Sequence, residues 1–326
     1  MAKLTLVEAV RDGLAAEMRQ DPRVIVLGED VGVNGGVFRA TDGLLAEFGP
    51  DRVIDTPLAE SGIIGTAIGL AIGGMRPVAE IQFMDFIAPG HDQLVSHAAR
   101  MRNRTRGALT VPLVIRTPSG GGIRPPEHHS DSTEAVYCHY PGIKVVIPSN
   151  PYDAKGLLIA AIRDDDPVLF MEPKRIYRAQ RQEVPAEAYT VPLGKARVAR
   201  EGNDCTLVSW GAMVDVCLEA AEQAEREHRW QAEVLDLRTL NPMDIDAVIA
   251  SAEKTGRVAV VHEAPRQCGL GAEIAALIQE RVFLYLQAPV VRVTGYDVPF
   301  PLASLEDVYL PNVRRVMAGI QKVMQF

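Results

Sequence analysis

Short apolar runs and helical stripes alternate along nearly the whole chain. Residues 23–28, 77–83, 111–116, 143–147 and 168–171 are β-branched or apolar on consecutive rather than alternate positions. Strands of that kind are buried on both faces, as in a parallel sheet covered by helices. Amphipathic stretches lie between them. Residues 1–17 carry Lys3, Glu8, Arg11 and Asp12 among apolar positions and predict a helix. Ser149 and Asn150 precede Pro151, a helix start with proline at the first position, after which Ala154, Leu157, Leu158, Ala161 and Ile162 fall on one face. The pattern fades between residues 174 and 203, a charged stretch with Pro185 and Pro192. It resumes at residues 206–210, 233–237, 258–261 and 289–293, each followed by a helical segment except the last. The expectation is an α/β chain of two parallel-sheet domains, 1–180 and 204–326, joined by a linker over 181–203.

Composition narrows the function classes. The 326 residues carry 34 Lys plus Arg against 42 Asp plus Glu, a net charge of −8. An acidic field repels phosphate, which argues against nucleic acid and anionic membrane and for small molecules or proteins as partners. The most apolar stretch, residues 63–75, contains Gly65, Gly69, Gly73 and Gly74 and is shorter than the ~20 residues of a membrane span. The N-terminal residues lack the apolar core of a signal peptide. Cys138, Cys205, Cys217 and Cys268 are widely spaced with no zinc-type pairing, so reduced, mostly buried thiols in a cytoplasmic protein are expected.

No phosphate-binding signature is complete. The run from Cys268 to Glu273 has two spaced glycines but Ile274 where a third would fall, and Gly120, Gly121 and Gly122 lead into prolines instead of a helix. Residues 55–74 are short of side chains, which suits close approach by another surface or a flat ligand. Glu60 stands at the N-terminal end of that helix. It reads either as a carboxylate favoured by the helix dipole or as a buried carboxylate beside an apolar pocket, suited to proton exchange with a heterocycle. Residues 120–132 form a loop of glycine, proline and polar residues containing His128 and His129. It is either a solvated loop or a place for acid–base catalysis; adjacent histidines rarely meet at one metal ion. Arg100, Arg102, Arg104 and Arg106 fit cations at the end of a helix beginning near Pro89 better than a nucleic-acid patch, for want of interleaved aromatics.

With these residues in view, the chain resembles, over essentially its whole length, the β subunit of the thiamine-diphosphate-dependent decarboxylase component of 2-oxo acid dehydrogenase complexes. The resemblance rests on residues 27–31, 55–60, 76–83, His129 and Ser130 with 141–148, and 150–156, and extends through 254–258 and 292–295. It implies a transketolase-like fold, a pyrimidine-binding domain followed by a transketolase C-terminal domain, in an α2β2 heterotetramer with the cofactor between subunits. Glu60 matches the family glutamate that hydrogen-bonds the aminopyrimidine ring and promotes deprotonation of the thiazolium carbon. After carbon dioxide is lost from the 2-oxo acid, the acyl group passes to a lipoyl arm on the dihydrolipoyl acyltransferase, a step that His129 matches the family histidine in assisting. Gln82 and Phe86 fall where relatives line the cofactor pocket; some have Tyr at Phe86. The resemblance also implies a structural potassium ion at Leu113, Val114, Ala161, Asp164 and Asp166, with Asp166 in place of the common Asn.

Thiamine enzymes hold magnesium and diphosphate through a Gly-Asp-Gly motif, which this chain lacks. The resemblance therefore assigns that half of the site to the α subunit. Residues 172–177 and 262–264 look most like the branched-chain subfamily, which makes 2-oxoisovalerate the leading substrate; residues 127–132 and 189–195 also resemble the pyruvate enzyme of some bacteria, the alternative. A third reading is a non-catalytic subunit that docks the acyltransferase through an acidic surface and the C-terminal residues 322–326.

Overall fold

The computed structural model describes residues 2–326. They fall into two compact units, the first made of the chain up to Ser119 with Val136–Leu193, the second of Gly120–Ala135 with Gly194–Phe326.

In the first unit, strand β1 (Ala2–Leu4) leads into helix α1 (Leu6–Gln20). The helix starts later than its periodicity suggests because Thr5 and Glu8 form a capping box: Thr5 Oγ1 accepts the Glu8 N–H and Glu8 Oε2 accepts the Thr5 N–H. Then follow β2 (Val24–Gly28), α2 (Leu44–Phe48), β3 (Val53–Asp55), α3 (Glu60–Ile72) and β4 (Arg76–Glu80). The helix expected near Pro89 is broken into a 3₁₀ segment (Met84–Gly90), a π-helical segment (Gln93–Ala98) and a short α4 (Met101–Arg104). Its arginines do local work: Arg100 donates to the Val95 carbonyl, Arg104 to the Ser96 carbonyl, and Arg102 pairs with Asp166 at 2.7 Å. After β5 (Val114–Ser119) come α5 (Glu134–Cys138), which straddles the division of the units, β6 (Lys144–Val146), α6 (Pro151–Arg163), β7 (Val168–Pro173) and β8 (Gln182–Val184). β5 starts later than expected because the Leu113 N–H turns back onto the Val111 carbonyl at 2.8 Å. α6 opens as read: the Asn150 side chain accepts the Asp153 N–H at 2.9 Å and Pro151 is the first helical residue.

The main strands of this unit run parallel in the order β6-β7-β5-β4-β2-β3, with α1 packed on α6, and β1 and β8 form a separate antiparallel pair. The chain leaves β2 for β3 on one side and β4 for β5 on the other. The sheet therefore has its switch point between β2 and β4, and in open α/β sheets the crevice beyond the carboxyl ends at such a point is where ligands bind.

The second unit contains β9 (Arg197–Arg200), β10 (Cys205–Ser209), α7 (Met213–His228), β11 (Ala232–Asp236), β12 (Thr239–Asn241), α8 (Ile245–Thr255), β13 (Val258–Val261), α9 (Leu270–Val282), β14 (Val291–Val293), α10 (Glu306–Tyr309) and α11 (Val313–Met324). Its five-stranded sheet has the order β14-β13-β10-β11-β9, parallel except for β9.

The stretch expected as a linker, 181–203, contains two strands. β8 pairs with β1 in the first unit and β9 with β11 in the second, so the chain passes from one unit to the other at Leu193–Gly194. Cys205 and Cys217 are buried as expected, whereas Cys268 is exposed; none of the four cysteines forms a disulfide among the described residues. Among the described residues no helix is long and apolar enough to cross a membrane.

Candidate active site

The switch point assembles three of the residues singled out in the sequence. β4 pairs with β2 so that Glu80 lies opposite Gly28, which puts Gln82, just past β4, on the same edge as Glu29. α3, leaving β3, begins on this edge with Glu60 as its first residue, half-buried and without a side chain capping the helix. The segment after β4 then folds directly onto α3: a Cβ at Gly90 would stand 2.5 Å from Ile64 Cδ1 and 3.2 Å from the Glu60 carbonyl oxygen. A side chain there would press on Ile64 and on the Glu60 carbonyl, so the segment that carries Phe86 lies against the start of α3. Phe86 is half-buried and packs edge-on against Phe83, ring centroids 5.5 Å apart. Glu29 lies close enough to sense its neighbours: burial first, then the charges of Asp30 and Glu60, push its carboxyl above the usual range.

Beneath this edge a guanidinium is sealed into the sheet. Arg116 on β5 is 1% exposed. It donates two bonds to Glu172 on β7, at 2.6 and 2.8 Å, and one to Glu80 on β4, at 2.7 Å. Tyr177 adds its hydroxyl to Glu172 at 2.6 Å. Burial opposes the arginine's charge, but two flanking carboxylates more than offset it and keep it protonated. Burial likewise pushes the Glu80 carboxyl up, against the pull of Arg116. From Tyr177 an aromatic series runs through Phe38 and Phe83 to Phe86, with centroid spacings of 5.2, 5.6 and 5.5 Å. The polar cluster thus fixes the floor on which Phe86 rests. These partners are far apart in sequence, and no local signal announced them.

A flat heteroaromatic ring fits this edge. Phe86 offers an apolar face, Gln82 and Glu60 offer hydrogen-bonding groups, and Thr56 Oγ1, just beyond β3, is buried with no hydrogen-bond partner among the described residues.

His129 belongs to the second unit, on the loop 120–135. Its Nδ1 lies 2.7 Å from the Glu127 carbonyl oxygen, an atom that only accepts, so Nδ1 carries the proton and proton exchange falls to Nε2. His128 precedes it with φ +61°.

Of the residues expected at the ion site, Leu113 and Val114 stand at the start of β5, and Ala161, Asp164 and Asp166 stand at the turn from α6 into β7. The two carboxylates are already committed to cations of the protein: Lys144 Nζ sits 2.7 and 2.6 Å from the Asp164 oxygens, and Arg102 holds Asp166. The Leu113 carbonyl accepts the Val168 N–H and the Ala161 carbonyl the Asp164 N–H. Main-chain oxygens keep a second lone pair each, so the donor set suits a monovalent ion held by carbonyls and not by carboxylates.

Comparison with known proteins agrees with this fold. The models of two families, described as the transketolase pyrimidine-binding domain and the transketolase C-terminal domain, match residues 2–180 and 194–316. A protein of Bacillus subtilis (strain 168) named pyruvate dehydrogenase E1 component subunit beta is 54% identical over 326 residues, covering all of both chains. Proteins of the same name from Staphylococcus epidermidis and Staphylococcus aureus are 52% and 50% identical over the same full length. Among solved structures, a chain described as a split-gene transketolase, an inactive β4 tetramer, superposes with a TM-score of 0.77 at 25% identity, covering 99% of each chain.

Proposed function

The chain belongs to the family of β subunits of the 2-oxo acid dehydrogenase first component, built from the two transketolase domains, and on that premise we propose that it serves a pyruvate dehydrogenase. Membership brings thiamine diphosphate as cofactor, and an α subunit and a lipoyl-bearing acyltransferase as partners. The observation that carries the substrate is end-to-end identity of 50 to 54% with bacterial proteins named for the pyruvate enzyme. It favours pyruvate over the branched-chain acid that residues 172–177 and 262–264 suggested. Such motifs report the shared scaffold, whereas substrate choice in an apolar pocket rests on a few methylenes.

Glu60 holds the aminopyrimidine side of the cofactor and exchanges a proton through its carboxylate oxygens, and Phe86 and Gln82 seat the ring. When bound there, thiamine diphosphate would supply the electron sink that decarboxylation needs. His129, its Nδ1–H tied to the Glu127 carbonyl, would deliver a proton from Nε2 to the lipoyl sulfur released as the lipoyl S–S bond breaks and the other sulfur takes the acyl group. Magnesium and the diphosphate fall to the α subunit, because no Gly-Asp-Gly motif is present; the β4 tetramer described as inactive supports that division. Potassium is assigned to the carbonyls of Leu113, Ala161 and neighbouring residues, and the α2β2 assembly to the cytoplasm.

Decarboxylation by the chain co-expressed with its α subunit, with thiamine diphosphate and magnesium, tests the proposal by comparing pyruvate with 3-methyl-2-oxobutanoate. Turnover is expected only in the mixture and faster with pyruvate. Preference for the branched acid would overturn the substrate, and turnover by the chain alone would overturn the division of the site.

A further inference from the structure

The glycine run 120–122 lacks the helix that a phosphate loop needs, yet it does bind anions: the protein's own carboxylates. Gly121 N–H donates to Glu263 Oε2 at 3.0 Å, Gly122 N–H to Glu306 Oε1 at 2.5 Å and Arg124 N–H to Glu306 Oε2 at 3.1 Å. Arg124 adds an ion pair with Asp307 at 2.6 Å. The backbone reaches this shape through φ of +73° at Gly120 and +99° at Gly122. A Cβ at Gly120 would stand 2.5 Å from Glu263 Oε2, and one at Gly121 would stand 2.6 Å from the Phe300 ring. Positive φ at Gly120 and Gly122, with the close approach of Glu263 at Gly120 and of Phe300 at Gly121, explains the run without any external ligand.

Glu306 is 1% exposed, so both its oxygens are spent in a site removed from water. A buried carboxylate accepting two N–H groups forms bonds of the stronger, charge-assisted kind. The Gly122 and Arg124 N–H groups converge on this one carboxylate, forming a nest of the kind that loop amides also offer to phosphate. The far end of the same loop is also tied down, because buried Glu134 accepts the Trp210 indole N–H at 3.3 Å. His129 lies between the two ties.

We propose that Glu306, seconded by Glu263, is a positioning residue for acyl transfer: it fills the nest of the loop as a built-in anion and so fixes where His129 presents Nε2. This rests on the role given to His129 above.

The test uses the α2β2 enzyme with Glu306→Gln, which keeps the size but gives up an acceptor toward one of the two N–H groups. Two rates are read: pyruvate oxidation by an artificial electron acceptor, which needs no lipoyl arm, and acylation of the lipoyl domain. Lipoyl acylation is expected to fall about tenfold, the scale of one hydrogen bond to a charged group, while the artificial-acceptor rate stays within about twofold. Equal losses in both assays, or no loss of acylation, would overturn the inference. His129→Ala is run alongside: if it keeps lipoyl acylation, the reading of His129 fails, and if it alone loses acylation, only the positioning role fails. Should the variant not assemble with α, amide hydrogen exchange on the full chain decides. Loop amides 121–132 exchanging faster in Glu306→Gln than in the parent, with the sheets unchanged, supports the clamp; parent-like protection overturns it.

Discussion

Trp210 lies flat on His262, ring centroids 5.3 Å apart and planes 12° from parallel. Its indole N–H donates to Glu134, so one buried tryptophan touches two titratable groups. Burial, reinforced by the Glu263 charge, pushes Glu134 up to about 7, while burial and the Arg292 charge push His262 down to about 4. Both therefore stay uncharged in the folded chain just below neutrality. Their effects on stability have opposite signs. Glu134 keeps a proton that the unfolded chain has lost, so its contribution declines as pH rises from about 4.5 to about 7. His262 refuses a proton that the unfolded chain takes up, so stability declines as pH falls from about 6.5 to about 4.

Glu134→Gln keeps an acceptor for Trp210 and removes one of the two titrations. The variant should gain stability relative to the parent at pH 8, where the parent buries a charge, and lose stability more steeply on acidification, where His262 acts unopposed. Unfolding midpoints from pH 8 to pH 5 check this, and parallel curves for the two proteins would refute it.

Glu172→Gln leaves Arg116 with Glu80 as its one remaining carboxylate partner and turns two buried charge-assisted bonds into weaker ones. Glu172→Gln should cost about 3 kcal/mol in denaturant unfolding. Tyr177→Phe, which deletes a single hydroxyl donor to the same carboxylate, should cost about 1 to 2 kcal/mol. A loss under about 1 kcal/mol for Glu172→Gln would mean that water reaches the cluster.

Glu60→Gln tests the proton-exchange role directly. Decarboxylation in the α2β2 enzyme should fall by at least about a hundredfold, with the unfolding midpoint of the chain unchanged because Glu60 is only half-buried. Retained turnover would return Glu60 to an ordinary helix-dipole carboxylate and leave a docking role for the subunit.

If carbonyl oxygens near β5 and the end of α6 hold potassium, exchanging sodium for potassium at constant ionic strength should raise the melting temperature, since binding to the folded state alone stabilises it. Equal melting in the two salts would remove the ion from the account.

What could be read in advance depended on the range of the interaction concerned. The start of α6 was legible because Asn150, Pro151 and Asp153 act within one turn. The buried strands were legible because burial on two faces imposes continuous apolar runs. β8 and β9 were not, because edge strands with exposed faces keep polar sequences that resemble a linker. Glu60 stood out through its setting in a glycine-rich helix. The Arg116 cluster and the Glu306 clamp did not, since their partners come together only in the folded units.

Gly122 and Glu306 are separated by 184 positions in the chain. The His129 loop is consequently not a transferable module. Grafted between relatives without the carboxylate-bearing segment that precedes α11, it would arrive with a glycine run and nothing to close around. A graft of this loop should carry Glu263 and the Glu306 segment with it.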